Sequence, residues 1–390
     1  MGINSFSKFF SEILKNKNIS ELKNKIVIVD TIYIIYKYCI AIRNTGKDYT
    51  NKDGNLSSHL LAIFNIATFL LKNKITPIFV FDGKTPEIKK NTTNERKKKK
   101  MKAINEINNN ENVDNIEYIK NFKKSFYLED IHYIECQLLL NALGVTYINS
   151  PEEADSQCAV LSHIDEKTFG GIISEDSDIL VFGGKKLIKN FNIKNKTYDE
   201  YDLDEIINFM IEKANNVRNL YGMDLINSLS HKDFITYCIL LGNDYIDCPK
   251  YLKYDKIFEN LVISDFQIET FINNIKNNVY SKMNIIFNTD EYFTNYLIKF
   301  NEVYNYYISA KVYDPSDIQY NKNNIDINMI EKIMCIDHDF DRSLITFEIS
   351  RILSNLNKIP KSCALQNKLI KEDNQYNKSN NIFCILDSYD

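Results

Sequence analysis

The sequence predicts an α/β fold with a mostly parallel central sheet flanked by helices, and three observations support this. Short continuous apolar runs at residues 26–29 and 75–81 are typical of strands buried on both faces. Segments with helical periodicity separate such runs as far as about residue 190, as expected when helices connect parallel strands. Only 11 glycines and 6 prolines occur in 390 residues, too few for a sandwich or propeller with many tight turns.

The first predicted strand, residues 26–29, is followed by Asp30, and the second, residues 75–81, is followed by Asp82. A helical pattern at residues 60–71 lies between them. Residues 83–131 are polar, rich in Lys and Asn, and show no clear strand. We therefore expect a helical excursion from the sheet there.

The next helix is predicted to begin at Ser150, because SPEE places Ser at the N-cap, Pro at the first helical position and Glu three residues after the cap. Beyond Asp255 we expect mainly helix, and a polar, weakly patterned tail begins at Lys361. The remaining predicted elements are a helix at 134–142 with Gly144 as C-cap, strands at 145–148, 171–174 and 187–188, and a helix at 234–241 ending at Gly242.

Composition excludes several classes of protein. With 44% hydrophobic and 26% charged residues the chain is not globally disordered. A net charge of −4 argues against a surface coated with basic charge, yet the run RKKKKMK at 96–102 predicts a local basic patch. The eight cysteines form no CxxC pair, no signal peptide is evident, and no apolar run is long enough to span a bilayer. We expect a soluble protein of a reducing, intracellular compartment that does not bind membranes.

Carboxylates are predicted to gather at one edge of the sheet. Three predicted strands are followed by acids, and the carboxyl ends of parallel strands share the edge where ligands bind. Two further acids lie near the first turn of a helix that follows a strand, and another follows a helix in LLGND. The seven candidates are Asp30, Asp82, Glu153, Asp155, Asp176, Asp178 and Asp244.

Seven carboxylates in one crevice would repel one another by several kcal/mol unless cations neutralise them. Mg²⁺ or Mn²⁺ suits a site made of oxygen ligands, and two such ions about 4 Å apart catalyse phosphodiester cleavage. Simpler interpretations remain open for single residues. Asp30 is also a suitable helix cap, Asp82 with Gly83 a suitable turn, and Glu153 a suitable partner of Ser150 in a capping box.

Several segments spell out a longer pattern: MGINSFSKFF, IVIVDTIYIIYKYCIAIR, HLLAIFNIATFLLKNKITPIFVFDGKTPEIK, SPEEADSQCAVL, GIISEDSDILVFG and FITYCILLGNDY. In order from Met1 to about Leu353, the chain resembles the structure-specific 5′ nucleases of the XPG/flap endonuclease superfamily. The resemblance implies a PIN/5′-nuclease-like fold. It implies a nuclease core at 1–255 that includes a helical arch at about 84–130, a helical C-terminal part at 256–360, and a polar tail at 361–390.

The resemblance also implies roles for individual residues. Lys89 and Arg96 match cations of the arch that reach the scissile phosphate, and their spacing of seven places them two turns apart on one helix face. A solvated basic face is the alternative interpretation. The first of two Mg²⁺ ions, which Mn²⁺ can replace, is assigned to Asp30, Asp82, Glu153 and Asp155, and the second to Asp176, Asp178 and Asp244.

Three more residues match DNA contacts of the family. Tyr36 corresponds to an aromatic ring that stacks on the base beside the cleaved bond, although Tyr33 and Tyr38 nearby also suit a core aromatic cluster. Arg43 and the backbone near Gly2 correspond to contacts with the bent template and the 3′ side of the junction. The run RKKKKMK fits the arch, and a nuclear-import signal is the alternative interpretation.

One segment departs from the family pattern. After LLGND the family has a Gly-rich hairpin that grips duplex phosphates and a K⁺ ion through backbone groups, whereas this chain has YIDCPKYLKYDKIF. Because such backbone approach normally requires Gly, we do not predict a K⁺ site there. The side chains of Lys250, Lys253 and Lys256 are the candidates for holding the duplex instead. The tail shows no sliding-clamp peptide.

The resemblance implies a Mg²⁺-dependent 5′ flap endonuclease with 5′–3′ exonuclease activity. It would act as a monomer on flapped, branched or nicked DNA in replication and repair. The expected location is the nucleus, or a cytoplasmic replication site if the protein is viral. One alternative keeps the fold but changes the activity to a 5′–3′ exonuclease or a junction resolvase. Another is an inactive DNA-binding replication factor, which retention of all seven acids argues against.

Overall fold

The computed structural model describes residues 2–109, 115–165, 167–250, 252–278, 289–318 and 324–356. Within these ranges, strands that were predicted separately lie side by side in one seven-stranded sheet. The strands are β1 (Lys15–Asn18), β2 (Ile26–Asp30), β3 (Thr76–Phe81), β4 (Thr146–Asn149), β5 (Phe169–Ile173), β6 (Lys186–Asn192) and β7 (Thr197–Asp202).

The strand order is β1-β7-β6-β5-β2-β3-β4. The pairs β4–β3, β3–β2, β2–β5 and β5–β6 are parallel, whereas β7 pairs antiparallel with both β6 and β1. The predicted mostly parallel α/β fold is confirmed. The sequence did not predict the antiparallel edge, because the polar sequence KNKN of β1 and the sequence TYDEYD of β7 lack an apolar run.

Helices cover both faces of this sheet. In the first half of the chain they are α1 (Phe6–Phe9), α2 (Thr31–Arg43), α3 (Ser58–Lys72), α4 (Lys90–Asn109), α5 (Asn115–Lys124), α6 (Asp130–Ala142), α7 (Ala154–Leu161) and α8 (Asp178–Val181). In the second half they are α9 (Leu203–Leu220), α10 (His231–Leu241), α11 (Tyr254–Ile263), α12 (Ile268–Asn278), α13 (Thr289–Ser309), α14 (Ile327–Glu331) and α15 (Arg342–Leu356).

Successive residues of the central strands enter different cores, which explains their continuous apolar sequences. Val27 and Val29 pack with α2, α3, α6, α14 and α15, whereas Ile28 packs on the opposite face with α7 to α13. Residues of α13 such as Phe300 share the second core with the strands. The C-terminal helices therefore pack directly against the sheet rather than apart from it.

The predicted capping role of Ser150 is wrong. Helix α7 begins at Ala154, and Ser150 lies four residues earlier, where its hydroxyl donates to the Phe81 carbonyl at 2.7 Å. The backbone N–H of Ala154 instead donates to Oδ1 of Asp82 at 2.7 Å. A carboxylate from the neighbouring strand thus satisfies the helix end that Ser150 was predicted to cap.

Helices α4 and α5 form the polar excursion predicted between β3 and α6. They contact each other, and the basic run lies on α4 with Lys97, Lys98 and Lys99 exposed. Residues 110–114 between the two helices lie outside the described residues, as does the predicted tail at 361–390. The boundaries predicted at 255 and 360 remain predictions.

Candidate active site

The carboxyl ends of the parallel strands carry the predicted acids to one edge of the sheet. Asp30 is the last residue of β2, Asp82 follows β3, and the segment after β5 leads through Asp176 into α8. Helix α7, which follows β4, brings its first turn to the same edge with Glu153 and Asp155. Parallel pairing of β2, β3, β4 and β5 therefore explains why acids distant in sequence meet here.

Local hydrogen bonds orient the acids of β2 and β5. Ser174 donates its hydroxyl to Oδ2 of Asp30 at 2.8 Å, and the backbone N–H of Tyr33 donates to Oδ1. The same Ser174 oxygen accepts the backbone N–H of Asp176 at 3.1 Å, and Oδ1 of Asp176 accepts the N–H of Asp178. Asp30 caps α2, as its simpler interpretation predicted, and still faces the cluster.

Asp178 is the least satisfied of these acids. Its side chain is only 1% exposed, and neither carboxylate oxygen has a hydrogen-bond partner among the described residues. Burial and the neighbouring charge of Asp176 raise the pKa of Asp178 well above its ordinary value. A buried carboxylate with two unpaired oxygens is costly unless a cation meets it.

Glu153 lies at the centre of a separate set of contacts. Its Oε1 pairs with the ammonium group of Lys89, and its Oε2 accepts the hydroxyls of Tyr245 at 2.6 Å and Tyr306 at 2.8 Å. Sequence reasoning identified neither tyrosine. Tyr245 directly follows Asp244, but Tyr306 is far along the chain and no local pattern marks it.

Asp244 receives two cations from the start of the helical excursion. Nη2 of Arg96 lies 2.7 Å from both carboxylate oxygens, and Nζ of Lys89 lies 3.6 Å from Oδ2. Lys89 belongs to a 3₁₀ turn immediately before α4, and Arg96 lies two turns into that helix. Lys89 thus precedes the helix rather than lying on it as predicted, but both residues reach the same acid, Asp244. The Thr92 hydroxyl adds a hydrogen bond to the Asp244 carbonyl.

The pKa values of several of the clustered acids and of Lys89 are raised, as expected where buried negative charges repel one another and favour a nearby cation. Burial and repulsion by Asp82 raise the pKa of Asp30 to about 7. Burial would lower the pKa of Lys89, but the negative charges of Glu153 and Asp155 outweigh it and raise the pKa above its ordinary value. Burial also raises the pKa of Asp82, Asp155 and Asp176.

The donor set suits hard divalent cations, because all seven acids offer oxygen ligands and the two unpaired oxygens of Asp178 are buried among them. Within the part of the chain that the structure describes, no three His, Cys, Asp or Glu side chains converge as a ready-made ion cage. Contacts of Lys89 and Arg96 with Glu153 and Asp244 place positive charge on two of these acids.

Gly2 lies against this cluster. Its φ is +90°, and an added Cβ would lie 2.4 Å from Oγ of Ser177 and 2.6 Å from Oδ1 of Asp176. The next backbone N–H, that of Ile3, donates to Ser177 Oγ at 2.9 Å. These close contacts leave room only for glycine at this position. They also show that the N-terminal segment lies beside the carboxylate cluster. DNA contact by its backbone remains a prediction.

Tyr36 and Arg43 both lie on α2 and contact residues at or just beyond the C-terminal end of α5. The half-buried Tyr36 ring meets Phe126 edge to face, with ring centres 5.0 Å apart. The Arg43 guanidinium is buried between Phe122 and Phe126, pairs with Asp48 at 2.6 Å and donates to the Phe122 carbonyl. Arg43 thus ties α2 to α5, and this geometry gives no support for direct DNA contact by its guanidinium.

The segment after Asp244 connects two helices, α10 and α11, although glycine is lacking beyond Gly242. Oδ1 of Asn243 accepts the backbone N–H groups of Tyr245 and Ile246, which forms the turn that glycines were expected to provide. The three lysines suggested for duplex contact are exposed around the start of α11: Lys250, Lys253 and Lys256.

Comparison with known proteins identifies the family. Residues 1–103 match the XPG N-terminal domain, and residues 144–244 match the XPG I-region. Flap endonuclease 1 of Methanococcus aeolicus is 30% identical over 275 residues, which cover 67% of this chain and 83% of that protein. The chain belongs to the XPG/flap endonuclease family.

Other members of the XPG/flap endonuclease family extend the similarity. Flap endonuclease 1 of Drosophila yakuba is 27% identical over 381 residues, covering 95% of this chain and 87% of that protein. The structure of the catalytic core of Rad2 in complex with DNA substrate matches with a TM-score of 0.61 and 22% identity. The match covers 90% of this chain and 100% of the Rad2 chain. The structure of flap endonuclease-1 from Methanococcus jannaschii matches with a TM-score of 0.60 and 22% identity. This match covers 88% of this chain and 96% of the Methanococcus jannaschii chain. The two solved structures show that the fold is shared.

The same family includes metal-dependent nucleases, so the chain belongs to a class of enzymes that hydrolyse phosphodiester bonds. Among the described residues, no helix has both the length and the apolar character needed to cross a bilayer.

Proposed function

We propose that this chain is a structure-specific 5′ flap endonuclease with 5′–3′ exonuclease activity, which hydrolyses DNA at junctions of single and double strands. The observation that carries the proposal is the contact between a cluster of acids and two cationic side chains. Acids from four parallel strand ends lie at one edge of the sheet, where Asp244 joins them from the end of α10. Lys89 and Arg96 reach Glu153 and Asp244 from the start of α4. This arrangement places two cations at the entrance to a strongly negative crevice.

The acids would hold two divalent ions, for which we propose Mg²⁺, with Mn²⁺ as a substitute. One ion would be held by Asp30, Asp82, Glu153 and Asp155, and the other by Asp176, Asp178 and Asp244. When bound, the ions supply an activated water and stabilise charge on the leaving oxygen. The fit rests on the oxygen-only donors and on the unpaired oxygens of Asp178.

Lys89 and Arg96 are positioned to bind the scissile phosphate. Both already contact carboxylate oxygens, so a phosphate that enters the crevice offers oxygens of the same charge in exchange. Because the pKa of Lys89 is raised, its ammonium group stays protonated throughout the neutral range. Cations placed where negative charge develops lower the barrier of phosphoryl transfer.

Helices α4 and α5 supply the route by which a 5′ single strand reaches the crevice. The exposed lysines of α4 follow directly from Arg96, so the backbone of a flap passing along this helix meets positive charge. We propose DNA with 5′ flaps as the substrate, a monomer as the active form and the nucleus as the location. Nuclear import through the basic run is compatible with its exposure.

The test is cleavage of end-labelled double-flap, nicked, gapped and Holliday-junction DNA in Mg²⁺, with the products mapped to the nucleotide. We expect the 5′ flap to be cut at the junction, with slower exonuclease cutting at nicks, no activity in EDTA, and recovery with Mn²⁺ but not with Ca²⁺. Cleavage confined to the Holliday junction would replace this proposal by a resolvase. No cleavage of any substrate would leave a DNA-binding role.

A further inference from the structure

The two oxygens of the Glu153 carboxylate have different partners. Oε2 accepts both phenolic hydroxyls, from Tyr245 at 2.6 Å and from Tyr306 at 2.8 Å, whereas Oε1 faces the ammonium group of Lys89. Hydrogen bonds to an ionised acceptor are stronger than neutral ones, so this pair holds the carboxylate firmly. Rotating the carboxylate would break both bonds at once. Oε1 is therefore the oxygen that Glu153 presents to the crevice.

An aromatic cluster fixes the two phenols in turn. The rings of Tyr245 and Tyr306 lie 5.4 Å apart, and Phe182 meets Tyr306 edge to face at 5.7 Å. Tyr307 packs against Tyr245 at 5.7 Å, and its hydroxyl accepts a hydrogen bond from Asn243 at 3.2 Å. Such contacts leave the rings little freedom, so the hydroxyls reach Glu153 from a rigid support.

The two phenols come from distant parts of the chain. Tyr245 directly follows Asp244, whereas Tyr306 lies near the end of α13, in the C-terminal helical part. Residues of α13 are buried in the same core as the strands. The C-terminal helices therefore do more than cover the sheet, since one of them contributes a hydroxyl to the carboxylate cluster.

We infer that Tyr245 and Tyr306 are positioning residues, which hold Glu153 so that Oε1 alone is presented to the divalent ion. In this way α13 takes part in building the metal centre. The inference rests on the proposed function, because it assigns Glu153 to ion binding. Without the phenols, Glu153 turns freely and offers both oxygens to Lys89, and that pairing competes with the ion. Removing a group that orients a metal ligand commonly weakens metal affinity about tenfold or more.

The test uses Tyr306→Phe and Tyr245→Phe, which remove one hydroxyl each and keep the rings. Tyr304→Phe is the matched control: it lies on the same helix, its ring stacks on Phe300, and its hydroxyl has no hydrogen bond in the described part of the chain. Mn²⁺ binding to the DNA-free protein is measured by calorimetry, and the Mg²⁺ dependence of flap cleavage is measured alongside. We expect each test variant to weaken Mn²⁺ binding about tenfold and to raise the Mg²⁺ requirement similarly. The cleavage rate at saturating Mg²⁺ should change far less.

A purely structural role would instead lower the melting temperature and leave Mn²⁺ affinity at the level of Tyr304→Phe, which would overturn the inference. Equal effects of all three variants would overturn it as well. If the unaltered chain cleaves flaps and both test variants bind Mn²⁺ normally, only this inference fails. If the unaltered chain neither binds Mn²⁺ nor cleaves DNA, the proposed function fails and the inference with it.

Discussion

Arg96 reaches from α4 to Asp244 and places Nη2 2.7 Å from both of its carboxylate oxygens. Lys89 lies before the same helix and contacts Glu153 and Asp244. These contacts tie the start of α4 to the carboxylate cluster. If both cations bind the scissile phosphate as proposed, each must exchange a carboxylate partner for a phosphate when DNA binds. A role in the chemical step can then be distinguished from general electrostatic attraction.

The first prediction follows from this exchange. Arg96→Ala and Lys89→Ala should each slow single-turnover flap cleavage by roughly a hundredfold or more, because each removes a cation placed at the developing charge. Flap binding should change little, since many other phosphate contacts remain. The control is Lys98→Ala on the exposed face of α4. Normal single-turnover rates combined with weaker binding would show that the two residues are only a basic surface.

The second prediction concerns the buried, unpaired oxygens of Asp178. Asp178→Asn should lower flap cleavage by at least about a hundredfold while binding is retained or tightened, because a negative charge near the phosphate is lost. In EDTA the variant should melt at a higher temperature than the unaltered chain, because it no longer buries an unpaired charge. Mg²⁺ should then stabilise it much less.

Asp204→Asn, an exposed acid at the start of α9, is the control for that change and should behave like the unaltered chain in both assays. Undiminished cleavage by Asp178→Asn would contradict the assignment of this residue to ion binding. A lower melting temperature in EDTA would show that the carboxylate stabilises the fold by contacts outside the described residues.

The third prediction concerns pH. Burial lowers the pKa of His59 below 6.5, and its Nε2 lies 2.6 Å from Oε2 of Glu135 while the buried Nδ1 lacks a partner among the described residues. The unfolded chain therefore takes up this proton at a higher pH than the folded chain. The contribution of His59 to the free energy of unfolding must fall as the pH drops below 6.5. Burial alone would raise the pKa of Glu135, but its hydrogen bonds to His338 and His59 lower this pKa to about 2. Glu135 therefore stays ionised between pH 6.5 and 5.

Replacing His59 by Gln keeps a donor for Glu135 but removes the titration. Between pH 6.5 and 5, the free energy of unfolding should fall less steeply in His59→Gln, by up to about 1.4 kcal/mol per pH unit. The raised pKa of Asp30 contributes with the opposite sign, but it is present in both proteins and cancels in the difference. Urea unfolding at several pH values measures the slopes. His163→Gln, an exposed control, should keep the original slope; an unchanged slope in His59→Gln would refute the assignment.

Some of this structure could be predicted from local sequence. The central strands could be predicted from their continuous apolar sequences, because both faces of the sheet are buried. Val27 and Ile28 show this by packing into opposite cores. The acids were readable because parallel strand ends share an edge. The cap of α7 was predicted wrongly, since its partner is Asp82 from another strand rather than Ser150 nearby. Contacts between distant segments leave no local pattern, and Tyr306 beside Glu153 is the clearest case.

The last prediction concerns the glycine-poor segment that joins α10 to α11. Oδ1 of Asn243 accepts two backbone N–H groups of its turn, directly after Gly242, whose φ is +85°. Lys250, Lys253 and Lys256 lie exposed beyond this turn. If these ammonium groups hold the duplex, each phosphate contact adds about 0.9 to the slope of log affinity against log salt concentration. Replacing all three by Ala should weaken binding and flatten that slope by up to about 2 to 3 units.

Binding of the Asp178→Asn variant to a flap substrate across a salt series measures this slope. The control variant carries Lys23→Ala and Lys167→Ala, two exposed lysines before β2 and β5, at the opposite edge of the sheet, and it should keep the slope. If side-chain charge rather than a backbone cage holds the duplex, replacing Na⁺ by K⁺ should have little effect. An unchanged slope in the triple variant, or a marked gain specific to K⁺, would show instead that the backbone around Asn243 grips the duplex.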